Sequence, residues 1–371
     1  MRSTETARAA VLPDFQLPLE IRDYPLPKNI GSGAALVKVE MAGVCGTDVH
    51  LWKGQLPIPC PIILGHETVG TIVRLGEGLS TDWTGTALNE GDRVTWSAGM
   101  RCGHCRFCTV YRVPTRCSNR SAYGISFSSD IAPHFSGGYA DFIYLRPGTS
   151  IFKLSDIATE TVIGAGCALV TAIHGLERVG VGWGDSVVIQ GSGPVGLASL
   201  AIAKSSGALN TIVIGGPHAR LEIATAFGAD QTIDIDELRD PAERLGRVRQ
   251  LTGGYGADAV IECVGSPSVV AEGFEMCRDG GKYLVLGHYG DAGSAPINPH
   301  VITRKQLTVY GSWASEPRHM ERAIEFLKAQ SDRFPFGRFV SHRFSLDDTF
   351  EALQTTSKWA SSKSVVVPTM I

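Results

Sequence analysis

A chain of 371 residues, 43% hydrophobic and 19% charged with a formal net charge of −3, is long enough for two domains that each bury a core without covalent help. Its mixed charge, with no basic run, leaves no footprint for nucleic acid, and the opening "MRSTETARAAVLPDF" lacks the apolar core of a secretory signal. Reduced thiols and a cytoplasmic location are therefore expected, with neither nucleic acid nor membrane among the partners.

In chain order, the first hundred residues read as mostly β, with short runs such as "ALVKVEMAGV" and "DRVTWS" between Gly and Pro turns. Among them lie "AGVCGTDVHLWKG" and "LGHETVG", which supply Cys45 and His66. Singly these mean little, because a lone cysteine is usually a small apolar residue and a lone histidine a hydrogen-bonded one. "RCGHCRFCTVYRVPTRC" follows, with two residues between Cys102 and Cys105, two between Cys105 and Cys108, and eight between Cys108 and Cys117. That spacing lets a loop fold four thiolates around one ion, and tetrahedral zinc is the natural reading. An iron–sulfur run would want a shorter last gap and a following proline, and a redox pair would not be followed at once by two more cysteines. Disulfides or idle thiols are the remaining alternatives. Four protein ligands leave no position for a substrate, so this zinc would be structural, with Arg101, Arg106, Arg112 and Arg116 near enough to offset its charge. "GAGCALVTAIHG" then brings Cys167, and Cys45, His66 and Cys167 together would make a three-ligand zinc set with its fourth position open to water or an alcohol.

The longest uncharged stretch, 186–203, is broken by Gly191, Gly193, Pro194 and Gly196, which suits a strand, a glycine turn and a helix better than a membrane span. In that context GxGxxG carries weight. Gly191 allows the tight turn, Gly193 lets the backbone approach a pyrophosphate, and Gly196 packs helix on strand. Strand-like runs "NTIVIGG", "QTIDI", "DAVIECVG" and "KYLVLG" alternate with helical stretches such as "HARLEIATAFGA" and "PSVVAEGFEMCRDG", the pattern of a doubly wound parallel sheet. "LTVYGSWASEP", a helix "PRHMERAIEFLKAQ" and a last strand "SVVVP" end the chain.

On "CGTDVH", "GHE", the four-cysteine loop, "GCALVTA" and "GSGPVG", the chain resembles the zinc-containing medium-chain alcohol dehydrogenase family over nearly its whole length. The resemblance implies an α/β protein: a Rossmann domain over 168–311 and a mostly β, GroES-like catalytic domain over 1–167 and 312–371. It further implies that Cys45, His66 and Cys167 hold a catalytic zinc, that Glu67 sits behind it, and that Asp48 accepts the free ring N–H of His66. Thr47 would pass the alcohol's proton through the cofactor ribose to His50, the plainer roles being a cap and a solvated imidazole. Zn²⁺, two per chain, and NAD or NADP are the expected cofactors, with a homodimer or homotetramer as the assembly. The cofactor is expected against Gly191, Gly193, Pro194, Val195, Gly196, Gly215, Gly216, His218, Arg220, Val264, Leu286 and Ser312. Lys363 matches a basic residue that reaches the pyrophosphate, or is an ordinary exposed lysine. Gly215 stands where a NAD-selective site has an acid, which leaves room for the extra phosphate of NADP.

Trp52, Leu56 and Ala98 would line the substrate pocket. Ala98 stands where many relatives place a large side chain, so a bulky, cyclic secondary alcohol is the expected substrate, oxidised to its ketone. An amino-alcohol or polyol dehydrogenase, such as a threonine dehydrogenase, is the alternative within the family. A catalytically silent structural relative would be expected to have lost ligands that are present here, and a zinc-finger nucleic-acid binder lacks its basic helix. Cys60, Cys263 and Cys277 read as buried apolar residues.

Overall fold

In the computed structural model, which describes residues 5–358 and 360–370, the run "ALVKVEMAGV" forms β1 (Ala35–Val44), buried over most of its length. Helix α1 (Gly46–Trp52) follows at once, and β2 (Glu67–Leu75) returns antiparallel beside β1. These two strands lie inside a seven-stranded sheet, with Arg93–Trp96 next to β2 and the C-terminal strand Lys363–Val366 next to β1. The register sets Gly43 opposite Glu67 on one edge of β1 and Val44 opposite Ser364 on the other. One short stretch of β1 thereby brings Glu67 beside Lys363 across 296 positions of sequence. Residues up to Gly166, with Glu316–Ser331 and Pro335 onward, make up this unit, whose core includes the fully buried rings of Tyr123, Phe135 and Tyr139.

Helix α2 (Thr159–Val179) is long and apolar enough to cross a membrane, yet 72% of its most apolar window is buried in the protein. Its dihedrals break at Gly166 (φ 47°, ψ −148°), so it is a kinked core helix whose second segment starts at Cys167.

The second unit holds Cys167–Ser315 and Asp332–Phe334. Its strands are β3 (Ser186–Gln190), β4 (Asn210–Gly215), β5 (Gln231–Asp234), β6 (Ala257–Glu262), β7 (Cys277–Val285) and β8 (Thr308–Gly311). All pair in parallel in the order β5-β4-β3-β6-β7-β8, so the winding reverses between β3 and β6, and ligands of such sheets sit beyond the carboxyl ends near that reversal. Burial on both faces explains why "SVVIQ" and "NTIVIG" are almost purely apolar. The glycine turn also has a steric cause. Gly191 takes φ +111°, and a Cβ at Gly196 would lie 1.9 Å from the Gly191 carbonyl oxygen, so helix α3 (Pro194–Ser205) can start this close to β3 only with hydrogen at both places. One boundary differs from the sequence expectation. The helix in "PSVVAEGFEMCRDG" ends at Met276, because Cys277 already pairs with Ala257 at the edge of β6.

Candidate active site

Cys45 caps α1. Its Sγ accepts the Thr47 backbone N–H at 3.3 Å, and Asp48 Oδ2 accepts the Cys45 N–H at 2.9 Å, closing a capping box. The other Asp48 oxygen accepts the Gly65 N–H at 3.3 Å and faces His66 Nδ1 at 3.4 Å. Burial works to raise the Asp48 pKa, but His66 and the two N–H donors outweigh it and hold the carboxyl below the usual carboxylate range. Asp48 is thus a fully buried carboxylate beside His66 and at the same time a helix cap. Behind it the Tyr139 hydroxyl donates to the Gly43 carbonyl at 3.5 Å. Burial first, and then the charges of Asp48, Cys45 and Glu67, push that phenol well above its ordinary pKa.

His66 Nε2 lies 3.4 Å from Cys45 Sγ, and the ligand atoms of Cys45, His66, Glu67 and Cys167 all lie within 4.8 Å of one another. Two glycines make room. A Cβ at Gly43 would fall 2.4 Å from Glu67 Oε2, and one at Gly166 would fall 2.5 Å from Glu67 Oε1, so the carboxylate fills the space their missing side chains leave. The kink at Gly166 delivers Cys167 to the group. Among the described residues, two cysteine sulfurs and the buried carboxylates of Asp48 and Glu67 gather about one ammonium, Lys363, in a largely buried setting. Such an excess of buried negative charge calls for a divalent cation, and the soft donor set of sulfur and imidazole suits zinc.

Lys363 corrects an expectation. Its side chain is 5% exposed and its Nζ is paired with Glu67 Oε2, so it is neither an exposed lysine nor an arm extended to a pyrophosphate. Sequence reading missed the pair because only the sheet register joins the two positions.

In the four-cysteine loop, Sγ–Sγ distances are 3.5 Å for Cys105–Cys108, 3.8 Å for Cys105–Cys117 and 3.5 Å for Cys102–Cys117. Sulfurs on the corners of a tetrahedron with Zn–S bonds of about 2.3 Å would stand roughly 3.8 Å apart, so the loop fits that ion. All four residues are thiols rather than disulfides. Backbone N–H groups, that of His104 first, bring the Cys102 thiol down to about 6, while burial and the neighbouring sulfurs push Cys108 up to about 12. Two of the arginines expected to offset the loop's charge face other partners, Arg101 contacting Glu316 at 3.2 Å and Arg106 lying over the Tyr111 ring.

On the second unit, Pro194 and Val195 open α3 immediately after Gly193, where a Cβ would meet nothing within 4 Å, so the helix N-terminus faces open space that suits an anion. At the end of β4, a Cβ on Gly215 would fall 2.4 Å from Ser192 Oγ and 2.9 Å from Ser192 N, and Ser192 Oγ donates to the Gly216 carbonyl at 3.2 Å. The strand end is therefore stapled to the glycine turn, with no space for an acidic side chain there. His218 is exposed but already faces Asp234 at 3.3 Å and Glu222 at 4.0 Å, and Arg220 is part-buried, which lowers its pKa. Val264 is 47% exposed after β6, Leu286 is buried after β7, and Ser312 follows β8, so three expected cofactor contacts sit at successive carboxyl ends of the sheet.

Thr47 and His50 lie three residues apart on α1 and so share a face; Thr47 is half-buried beside Cys45, while His50 is exposed and paired with Gln55. Trp52 donates its indole N–H to the Leu17 carbonyl at 2.9 Å and packs edge-on against Phe350, and Leu56 packs on the same core. Ala98 is half-buried before Gly99–Met100, its carbonyl accepting from Tyr123.

Residues 31–156 match the alcohol dehydrogenase GroES-like domain, and residues 194–329 the zinc-binding dehydrogenase domain. Fold and ligand sets together define a zinc-binding dehydrogenase. The chain is 37% identical over 367 residues to the 5-exo-hydroxycamphor dehydrogenase of Pseudomonas putida, covering 98% of this chain and 99% of that one. It superposes on an alcohol dehydrogenase from Thermotoga maritima with a TM-score of 0.93 at 34% identity, covering 98% and 99% of the two chains. It also superposes on a protein from Sinorhizobium meliloti described as a zinc-binding dehydrogenase and bound to NADP, with a TM-score of 0.84 at 26% identity over 98% and 100%. The chain belongs to the zinc-containing medium-chain alcohol dehydrogenase family, and it is an NAD(P)-linked, zinc-dependent oxidoreductase of alcohols.

Proposed function

We propose that this enzyme oxidises a cyclic secondary alcohol to its ketone and uses NADP as hydride acceptor. The observation that carries the substrate class is the end-to-end likeness to a hydroxycamphor dehydrogenase, whose named substrate is an alcohol on a rigid ring system. Ala98, small beside the four-cysteine loop, agrees with a roomy pocket. For the cofactor, the support is the end of β4, where Ser192 occupies the space an acid at Gly215 would need, so no carboxylate there repels a 2′-phosphate.

Bound among Cys45, His66 and Cys167, zinc supplies a Lewis acid that polarises the alcohol oxygen for hydride loss. The chain's own residues do the rest. Asp48 fixes the His66 ring, Lys363 holds Glu67 against the glycine cradle, and Thr47 accepts the alcohol's proton while giving its own hydroxyl proton on through the cofactor ribose to His50, which releases it to solvent at the exposed end of the same helix face. The thiolates of the loop from Cys102 to Cys117 hold a second, structural zinc.

The test is kcat/KM with a bicyclic secondary alcohol, cyclohexanol, ethanol, sorbitol and threonine, each with NAD and with NADP. The ring alcohols are expected to lead, and NADP to exceed NAD. Higher values for sorbitol or threonine would establish the polyol or amino-alcohol alternative. Because a side chain at Gly215 would collide with Ser192, cofactor choice is better tested with Arg220→Ala, expected to lower kcat/KM for NADP about tenfold more than for NAD. Equal losses for both cofactors would remove Arg220 from the 2′-phosphate site.

A further inference from the structure

Glu262 ends β6, one of the two strands at which the winding of the parallel sheet reverses, and it is fully buried. Its Oε1 accepts the Val264 N–H at 2.7 Å and the Gly265 N–H at 2.6 Å, and its Oε2 accepts the Gly287 N–H at 3.2 Å. The main-chain carbonyl of the same residue accepts the Leu286 and Gly287 N–H groups at 3.0 and 2.9 Å. One residue therefore ties together the starts of the loops after β6 and β7, at the edge of the sheet where ligands bind. Val264 and Leu286, both expected to meet the cofactor, are among the residues it holds.

Two glycines let the loops close over the carboxylate. Gly265 takes φ +75°, and a Cβ there would fall 2.6 Å from the Gly287 carbonyl oxygen, while one at Gly287 would fall 2.5 Å from the Gly265 nitrogen. The loops thus meet backbone to backbone. Both carboxylate oxygens act as acceptors of backbone N–H groups, the role of an ionised carboxylate. His288 Nε2 stands 3.7 Å from Oε2, beyond hydrogen-bond reach, so among the described residues backbone dipoles, and no bonded cation, meet this charge.

We infer that the buried charge of Glu262 makes the site discriminate between the two oxidation states of the nicotinamide ring, tightening the oxidised cofactor and loosening the reduced one. The ring of NAD(P)⁺ carries a positive charge, which it loses on accepting hydride from the alcohol carbon, so a fixed anion at this edge of the sheet favours the oxidised form. Burial leaves that preference little screened by water or salt. Glu262 acts through its field and through the loops it braces, which makes it a positioning residue and not a catalytic one. The inference holds for either cofactor and for any alcohol, so it goes beyond the substrate and NADP readings above and does not depend on them.

The experiment measures Kd for the oxidised cofactor by calorimetry and for the reduced one by fluorescence titration, in wild type, Glu262→Gln, Glu262→Asp and His288→Lys, using whichever of NADP and NAD the wild type prefers. Glu262→Gln keeps the shape and loses the charge, and its affinity for the oxidised form is expected to fall about tenfold more than that for the reduced form. Glu262→Asp keeps the charge on a shorter arm, so both affinities should fall together, with their ratio within about twofold of wild type. His288→Lys leaves Glu262 in place and sets an ammonium beside it, and should move the ratio in the same direction as Glu262→Gln; it decides the matter if that variant fails to fold. Equal losses for both forms in Glu262→Gln, an unchanged ratio in His288→Lys, or a ratio in Glu262→Asp shifted as far as in Glu262→Gln overturns the inference, because Glu262 would then only brace the loops.

Discussion

A methyl group at Gly166 would land 2.5 Å from Glu67 Oε1, on a residue whose φ of +47° few side chains adopt. Gly166→Ala should therefore displace both Glu67 and Cys167. The purified variant is expected to hold one zinc instead of two and to lose activity by about 100-fold or more, because both changes strike the open metal site. Two zinc equivalents by elemental analysis would show that the cradle tolerates a Cβ. His50, exposed at the end of α1, asks for a milder test. Its removal leaves the hydride step intact, so His50→Ala should lose about 10–100-fold and regain part of it with added buffer bases, while wild-type rates at pH 7 would reduce it to a surface residue. The four-cysteine loop was legible in the sequence from its spacing, whereas Cys45, His66 and Cys167, far apart along the chain, were joined only by the family resemblance. Lys363 was not legible: its meaning depends on Glu67, and only the pairing of three strands brings the two together.

Asp230 joins two elements of the dinucleotide unit, accepting the Thr211 N–H at 2.8 Å and hydroxyl at 2.7 Å at the start of β4, and Lys204 at 3.0 Å in the last turn of α3. Burial would raise its pKa, yet the Thr211 hydroxyl, Lys204 and the Thr211 N–H prevail and hold it below the usual carboxylate range. A carboxyl depressed in the folded state stabilises above its unfolded pKa, and that contribution is lost as pH falls through the folded one. The Tm gap between wild type and Asp230→Ala is accordingly expected to be widest above about pH 5 and to narrow toward pH 3. A gap that does not change with pH would mean that only the neutral hydrogen bonds matter. The alternation of strands and helices that carries Asp230 could be read from periodicity, but the start of β7 could not. Its first residue continues an apolar helical pattern, and pairing with Ala257, a tertiary contact, ends the helix there.

At the scale of the whole molecule, two metal groups divide stability from turnover. Metal–thiolate binding energy is folding energy for a loop with so little core of its own, so Cys105→Ala is expected to lower Tm by several degrees and remove one zinc. Cys45→Ser should also remove one zinc but abolish turnover with Tm nearly unchanged. Similar Tm losses in both variants would contradict the division. The second outcome follows from the double duty of Cys45, which caps α1 as well as facing His66. Serine is a better helix cap than cysteine, and the two codons differ by one nucleotide. A lineage carrying this gene is therefore one point mutation from a well-folded, soundly capped protein that has kept its dinucleotide domain and lost its chemistry, so selection on folding alone would not preserve the enzyme.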